Sequence, residues 1–430
     1  MQEKSWHYWV WAAIVLVVAS TGSPYVYGYL HAETARSYLF QHMLSWGPIP
    51  VAPRKSVVVL IEDDDYWLGP LAGRRPIKRD YLARMVDRLV DMNAHIIALD
   101  FDVRLQNPNA KDIPEDYRAE TQRLIEAIKR AVEHGKKIVL ATPIAGRDAY
   151  TIDPDIYQAS GLCTRQDSAA LLSNRPVDAV TCGYIALPYD PLAIPSRLQM
   201  ADGGFLDSFS LAIARADSPV LVDRLIDRIG TEVRYSNFIS HQEFRSSGSE
   251  FSAKALLGGQ VDRNGVDSKD VIVGANWSRD AAGRGPLVDL HWTPVGQIVG
   301  AELHANFAEA FLGERVFRAT PEWVLDGIEI FFGVLAALAF AAIPTLRGKL
   351  LGIAVAILLL FVATWVGLQF GLFFDLFLPI IGLGLHSLIE RLIGSDDDDR
   401  AGSEPGTPDA SNKTAAAETH PRDLATTAAS

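Results

Sequence analysis

Carboxylates stand in three places where they can meet a ligand: Asp63 within the run from Glu62 to Asp65, Asp100 with Asp102, and Glu302 in the string Glu302-Leu-His304-Ala-Asn306. Paired carboxylates suit a divalent cation, which takes oxygen ligands, or a basic ligand. A histidine with an acid and an amide beside it can bind a ligand or respond to pH. The plainer alternative is that the acids cap helices or face solvent and that His304 bonds a neighbouring loop. Arg79 is placed to form a structural ion pair with one of the strand-end carboxylates. The chain has no GxSxG elbow, no glycine-rich phosphate loop with Lys and Ser/Thr, and no HExxH zinc helix. No catalytic residue and no cofactor is therefore assigned, an enzyme is not expected, and a metal is left open.

The elements that position these residues alternate between strand and helix. SVVVLIE, with β-branched residues over 57–61, reads as a buried strand ending on Asp63 and its neighbours. A GRRP turn at 73–76 leads into a helix from about Asp80, a plausible N-cap, with Leu82, Val86, Leu89 and Val90 on one face. A second strand over 95–101 ends at Asp100 and Asp102. A helical pattern over 115–134 stops at Gly135, and a strand follows at 137–142. Less regular sequence over 143–205 includes a short strand near 183–187. Helices at 207–216 and 219–229, a strand at 271–274 and a helix at 300–312 complete the pattern. On that last helix Leu303, Phe307, Ala310 and Phe311 form the buried stripe, leaving Glu302, Asn306 and Glu309 more exposed. The alternation predicts an α/β domain with a mostly parallel sheet and flanking helices, joined by right-handed crossovers. The strand-end acids then lie on the edge where such sheets bind ligands.

Around this domain the sequence is apolar. Blocks at roughly 324–344, 350–370 and 372–390 each approach the ~20 residues that a hydrocarbon core requires. Block one opens with Asp326 and Glu329, and block three holds Asp375 and Pro379. A further run, Tyr8 to Leu30, lacks a clear small-residue cleavage site and is flanked by Trp and Tyr, as an uncleaved signal anchor would be. Four transmembrane helices are predicted: one N-terminal (1–30) and three C-terminal (323–394). Arg347, Lys349 and Arg391 place the short loop and the C-terminus inside, so residues 31–322 lie outside a bacterial inner membrane and both termini lie in the cytoplasm. Thr320-Pro321 leads from the last domain helix into the membrane by a short connector. Residues 395–430, with eight acids against three bases and no aromatic residue, read as a disordered acidic tail. The net charge of −12 is not matched by any basic patch, so nucleic acid is not a partner. The two cysteines, Cys163 and Cys182, can form one disulfide if the domain is extracytoplasmic.

Several of these blocks, in this order, resemble the second class of CHASE domains, the extracellular sensors of bacterial histidine kinases, cyclases and serine/threonine kinases. They are VVVLIEDDD at 57–65, GRRPIKRDYLARMVDRL at 73–89, AHIIALDFDV at 94–103, VIVGANW at 271–277 and GAELHANFAEAFL at 300–312. The likeness covers about 50–320 and is followed by the family's usual three spans. Gly73, Pro76 and Arg79 stand where the family has its Gly-x-x-Pro-x-x-Arg turn, while Arg74 and Arg75 replace the tryptophans usual there. The chain also ends in low-complexity sequence where relatives commonly carry a kinase or cyclase. The resemblance implies a membrane sensor that binds an unknown extracytoplasmic ligand through Asp63, Asp100, Asp102, Glu302, His304 or Asn306. Its signal would pass to a separate signalling or membrane partner, with homo-oligomerisation possible. The second class of reading is an envelope-associated structural or assembly protein.

Overall fold

The computed structural model describes residues 53–103, 113–142, 179–187, 193–199, 204–230, 233–235, 238–280, 286–293, 295–318 and 346–369, with Met43 and a few positions between 321 and 331. The expected signal anchor and tail lie outside the described residues, as does most of the expected 323–394 membrane region. In chain order the elements begin β1 (Ser56–Glu62), α1 (Asp63–Tyr66), α2 (Arg79–Asp91), β2 (Ile96–Leu99), α3 (Tyr117–Glu133) and β3 (Lys137–Thr142). They continue β4 (Val180–Tyr184), β5 (Arg197–Gln199), β6 (Phe205–Asp207), α4 (Phe209–Asp217), α5 (Pro219–Ile229) and β7 (Val233–Tyr235). Next come α6 (His241–Ser246), β8 (Glu250–Ser252), α7 (Ala253–Leu257), β9 (Asp270–Asn276), β10 (Leu290–Thr293) and β11 (Gly296–Val299). The last are α8 (Gly300–Leu312), β12 (Val316–Arg318) and α9 (Leu346–Gln369).

Six strands form one sheet in the order β4-β3-β2-β9-β1-β8, and every pairing in it is parallel. β1 is buried on both faces, which is why it reads as an uninterrupted apolar run rather than an alternation. Val57, Val59 and Ile61 join the core beneath α2 and α3, whereas Val58 and Leu60 join the opposite core with Phe209 and Ile213 of α4 and Ala301 and Ala305 of α8. Each such side chain contributes about 1.5–3 kcal/mol on burial. β9 is inserted between β1 and β2. The chain leaves β1 and β2 toward one face and leaves β9 toward the other, so the crevice outside the end of β9 is a topological switch point.

Helix starts follow local chemistry, with one correction. α2 is preceded by Lys78 and has no side-chain cap; Asp80 lies in its first turn rather than capping it. Arg79, expected to pair with a strand-end acid, is buried against α3. There its backbone N–H donates to Glu120 Oε2 at 3.1 Å, its Nη1 donates to Thr121 Oγ1 at 2.9 Å, and its guanidinium lies over the Tyr117 ring at 4.5 Å. The Gly-Arg-Arg-Pro turn docks on the same helix. Gly73 has φ +65°, and a Cβ there would come within 2.5 Å of the Trp67 ring, so glycine is needed on both counts. Pro76 follows a cis peptide bond. Arg74 forks onto Glu120, Nη1 to Oε1 at 2.8 Å and Nη2 to Oε2 at 2.9 Å.

Cys182 on β4 is buried and disulfide-bonded. Cys163 lies outside the described residues, so its pairing with Cys182 is a prediction. Non-reducing peptide mapping should recover the two cysteine peptides linked; two free thiols in protein from an oxidising compartment would contradict it.

Helix α9 lies in the second apolar block of the sequence, and its side chains are described at only some positions. Among the described residues no helix is long and apolar enough to cross a membrane, so the four-span expectation draws no support from them.

Candidate functional site

Helix α8 builds the site. Its Ala301, Ala305 and Ala308 pack on the sheet side, while Leu303, Phe307, Ala310 and Phe311 fill a second core on the far side. The helix is therefore buried all round, and Glu302, Asn306 and Glu309, expected to be exposed, are 0%, 0% and 3% exposed. A helix with apolar residues on two faces has no solvent side, which a single-stripe reading misses. Close approach to the sheet depends on two glycines. A Cβ on Gly274 of β9 would lie 2.3 Å from that of Ala301, and a Cβ on Gly300 would lie 1.8 Å from Asp289 Oδ2.

The polar stripe of α8 is satisfied by distant backbone and side chains. Glu309 Oε1 accepts from the N–H groups of Arg54, Lys55 and Ser56 at 2.7–3.0 Å, tying the helix to the start of β1. Asn306 Oδ1 accepts from Ile239 N–H at 2.6 Å, and its amide donates to the Ile239 carbonyl at 3.0 Å. Asn306 is thus a clamp on the chain entering α6. Asp63 is likewise committed: its carboxylate accepts from Ser278 N–H at 2.7 Å and Ser278 Oγ at 2.6 Å. That contact closes the end of β1 onto the end of β9, where Trp277 stacks on Tyr66 at 4.1 Å and lies parallel to Phe101 at 6.2 Å. Asp102 is half-buried beside Phe101.

Asp100 and His304 do come together. His304 Nε2 lies 3.9 Å from Asp100 Oδ1, its Nδ1 is 3.0 Å from Ser210 Oγ on α4, and its ring meets Phe209 edge-on at 5.1 Å. At 3.9 Å the two are close neighbours but not hydrogen-bonded. Burial pushes His304 down to about 4, so the imidazole is neutral at pH 7. Burial, and then the Asp289 charge, hold Asp100 well above the usual carboxylate range. Asp289 is lowered: its own burial opposes ionisation, but the His291 hydrogen bond at 2.7 Å and the charges of His291 and His304 outweigh it. Because His304 is neutral at pH 7, the His291 bond is what operates there. Asp100, Asp289 and the neutral His304 imidazole thus gather at the first turns of α8, with burial making Asp100 the harder of the two acids to ionise. Such a group offers hydrogen bonds to a polar ligand.

Glu302 faces elsewhere. Its Oε1 is 2.5 Å from His241 Nδ1, which is also 3.2 Å from Glu250 Oε2. Burial raises Glu302 to about 7 against the opposing pull of His241. The structure thus divides the six predicted ligand residues: Asp100 and His304 meet, Glu302 joins a second group, Asp63 and Asn306 brace the chain, and Asp102 stays half-buried beside Phe101. Sequence reading missed Ser210, Asp289, His291, His241 and Glu250, which lie in loops or at element ends; Ser210 is 94 positions from His304 and His241 is 61 from Glu302. The only local signal was the Asp289-Leu-His291 spacing.

The model of a family described as CHASE2 domain matches residues 10–341, in agreement with the resemblance carried by the motifs. No curated protein and no solved structure matches the chain.

Proposed function

We propose, from the premise that the chain belongs to the CHASE2 domain family, that residues 31–322 form an extracytoplasmic sensor in a four-span membrane protein that relays its state to a separate partner. CHASE2 is a sensor-domain family, and the relay, the ligand and the anchoring are the further steps of this reading. The observation that carries it is the position of α8. The helix brings His304 to Asp100 at the switch-point crevice and is followed, after the short strand β12, by exposed Trp323 at the head of the apolar stretch. β12 pairs antiparallel with β7, so displacement of α8 is transmitted through a tethered connector rather than a slack one. Leu351, Val355, Leu358, Leu359, Val362 and Val366 on α9 are apolar and exposed, the kind of surface that lipid would cover.

Output is assigned to a separate partner that meets the inner loop or the span bundle. Mild crosslinking in native membranes should then recover a specific partner. Deleting 396–430 should leave that recovery largely intact, and changes around 344–350 should weaken it. Recovery of envelope polymer instead of a protein partner would replace the sensor reading with a structural one.

A further inference from the structure

We propose that His241, Glu250 and Glu302 form a binding site for a divalent first-row metal ion of the zinc or manganese class. The three come from the start of α6, the start of β8 and the first turn of α8, and their ligand atoms all lie within 4.8 Å of one another. Local structure fixes each one. Ser240 caps α6 through a reciprocal bond with Glu243, which sets His241 at the helix start. Glu250 is paired with Val58 at the sheet edge. Glu302 is held in α8, where Gly300 is seated against Asp289.

The arrangement is incomplete as a set of protein–protein bonds. An imidazole nitrogen carries at most one hydrogen, yet Nδ1 of His241 faces oxygens of two carboxylates, at 2.5 Å and 3.2 Å. Glu250 Oε2 is fully buried and has no hydrogen-bond partner, and the Glu250 side chain is only 6% exposed. Arg245 Nε takes the other oxygen of Glu250 at 2.9 Å, and Glu62 adds a further acid close by. Glu302 Oε2 receives only a long bond, 3.4 Å, from the Val299 N–H. A buried unpartnered carboxylate oxygen is costly, and a cation between the two carboxylates and the imidazole removes that cost. With one nitrogen and two oxygen donors the set suits zinc or manganese better than calcium or magnesium, which prefer oxygen alone. The His241 side chain is 37% exposed, giving the ion a path from solvent.

A second grouping among the described residues, His95, Asp217 and Asp270, also holds an unpartnered buried carboxylate, Asp270, but differs in already having a cation beside it. There the Lys55 ammonium already contacts both oxygens of Asp217, at 2.7 Å and 3.0 Å. It serves as the internal control. The inference concerns ion binding alone and holds whether or not the domain signals.

The test uses the full chain in detergent, stripped with a chelator and titrated calorimetrically with Zn²⁺ and, separately, Mn²⁺. At least one of the two should bind at about one ion per chain and raise the melting temperature. Glu250→Gln, which keeps shape and removes the charge, should weaken binding by at least ~10-fold, the scale on which even outer-shell changes act. His241→Asn should do the same, and Asp217→Asn should not. Circular dichroism melts establish that each variant is folded; if Glu250→Gln is not, His241→Asn decides. Wild-type protein that binds neither ion stoichiometrically and shows no melting shift would overturn the inference. Unchanged affinity in folded Glu250→Gln or His241→Asn would also overturn it.

Discussion

Replacing Arg74 with Met should destabilise the domain by about 3 kcal/mol, the scale for removing one partner of a buried ion pair. Glu120 is 2% exposed, and both of its oxygens are engaged by the Arg74 fork. Without the guanidinium, one oxygen keeps only the Arg79 N–H and the other has no described partner. The cost comes from the stranded carboxylate rather than from lost attraction, so a second change should repair it. In Arg74→Met/Glu120→Gln the amide oxygen can still accept from Arg79 N–H while no charge is buried, and most of the loss should return. Urea denaturation followed by tryptophan fluorescence measures both. A single variant within ~0.5 kcal/mol of wild type, the range of ordinary surface changes, would show that the turn is not anchored through this pair.

Asp270→Asn should act in the opposite direction and stabilise the protein at neutral and alkaline pH. Asp270 opens β9 with 0% exposure, and neither carboxylate oxygen has a hydrogen-bond partner. Burial, and then the Asp217 charge, hold it well above the ordinary value of 3.8; Glu309 acts the same way, and Lys55 and Lys137 act against it. The folded state therefore binds this proton more tightly than the unfolded chain does. Its contribution is fully present below the unfolded value and is lost as pH rises from there through the folded value. Asparagine has no such titration and offers two donors toward the neighbouring acids. The gain at pH 8 should be about 1–3 kcal/mol, the usual cost of an unsatisfied buried group, and should shrink as pH falls toward 4. A pH-independent difference, or a loss at pH 8, would contradict this account.

The framework was legible in the sequence because periodicity records it. The apolar run of β1, the one-sided helices α2 and α3, and the acid-ended strands all fell within a few residues of their expected bounds. The strands β5 to β8 and β10 to β12 were not expected, because three or four residues are too short to show a period. In the site, His304 and Asp100 were expected, but their convergence depends on β9 being inserted beside β2, which no local pattern encodes. The error over Glu302, Asn306 and Glu309 has the same origin. Their partners are 61, 67 and about 255 positions away, so only the fold reveals that these polar groups face inward. The fork of Arg74 onto Glu120 was not legible either, because its partner lies 46 positions away along the chain.

The claim that organises these observations is that the domain stands outside the membrane and reports inward. Reporter fusions after residues 200, 347, 371 and 425, read with one enzyme active only outside the cytoplasm and one active only within it, test this most directly. The account predicts outside, inside, outside and inside, as Arg347, Lys349 and Arg391 require. A cytoplasmic signal at residue 200 would contradict it.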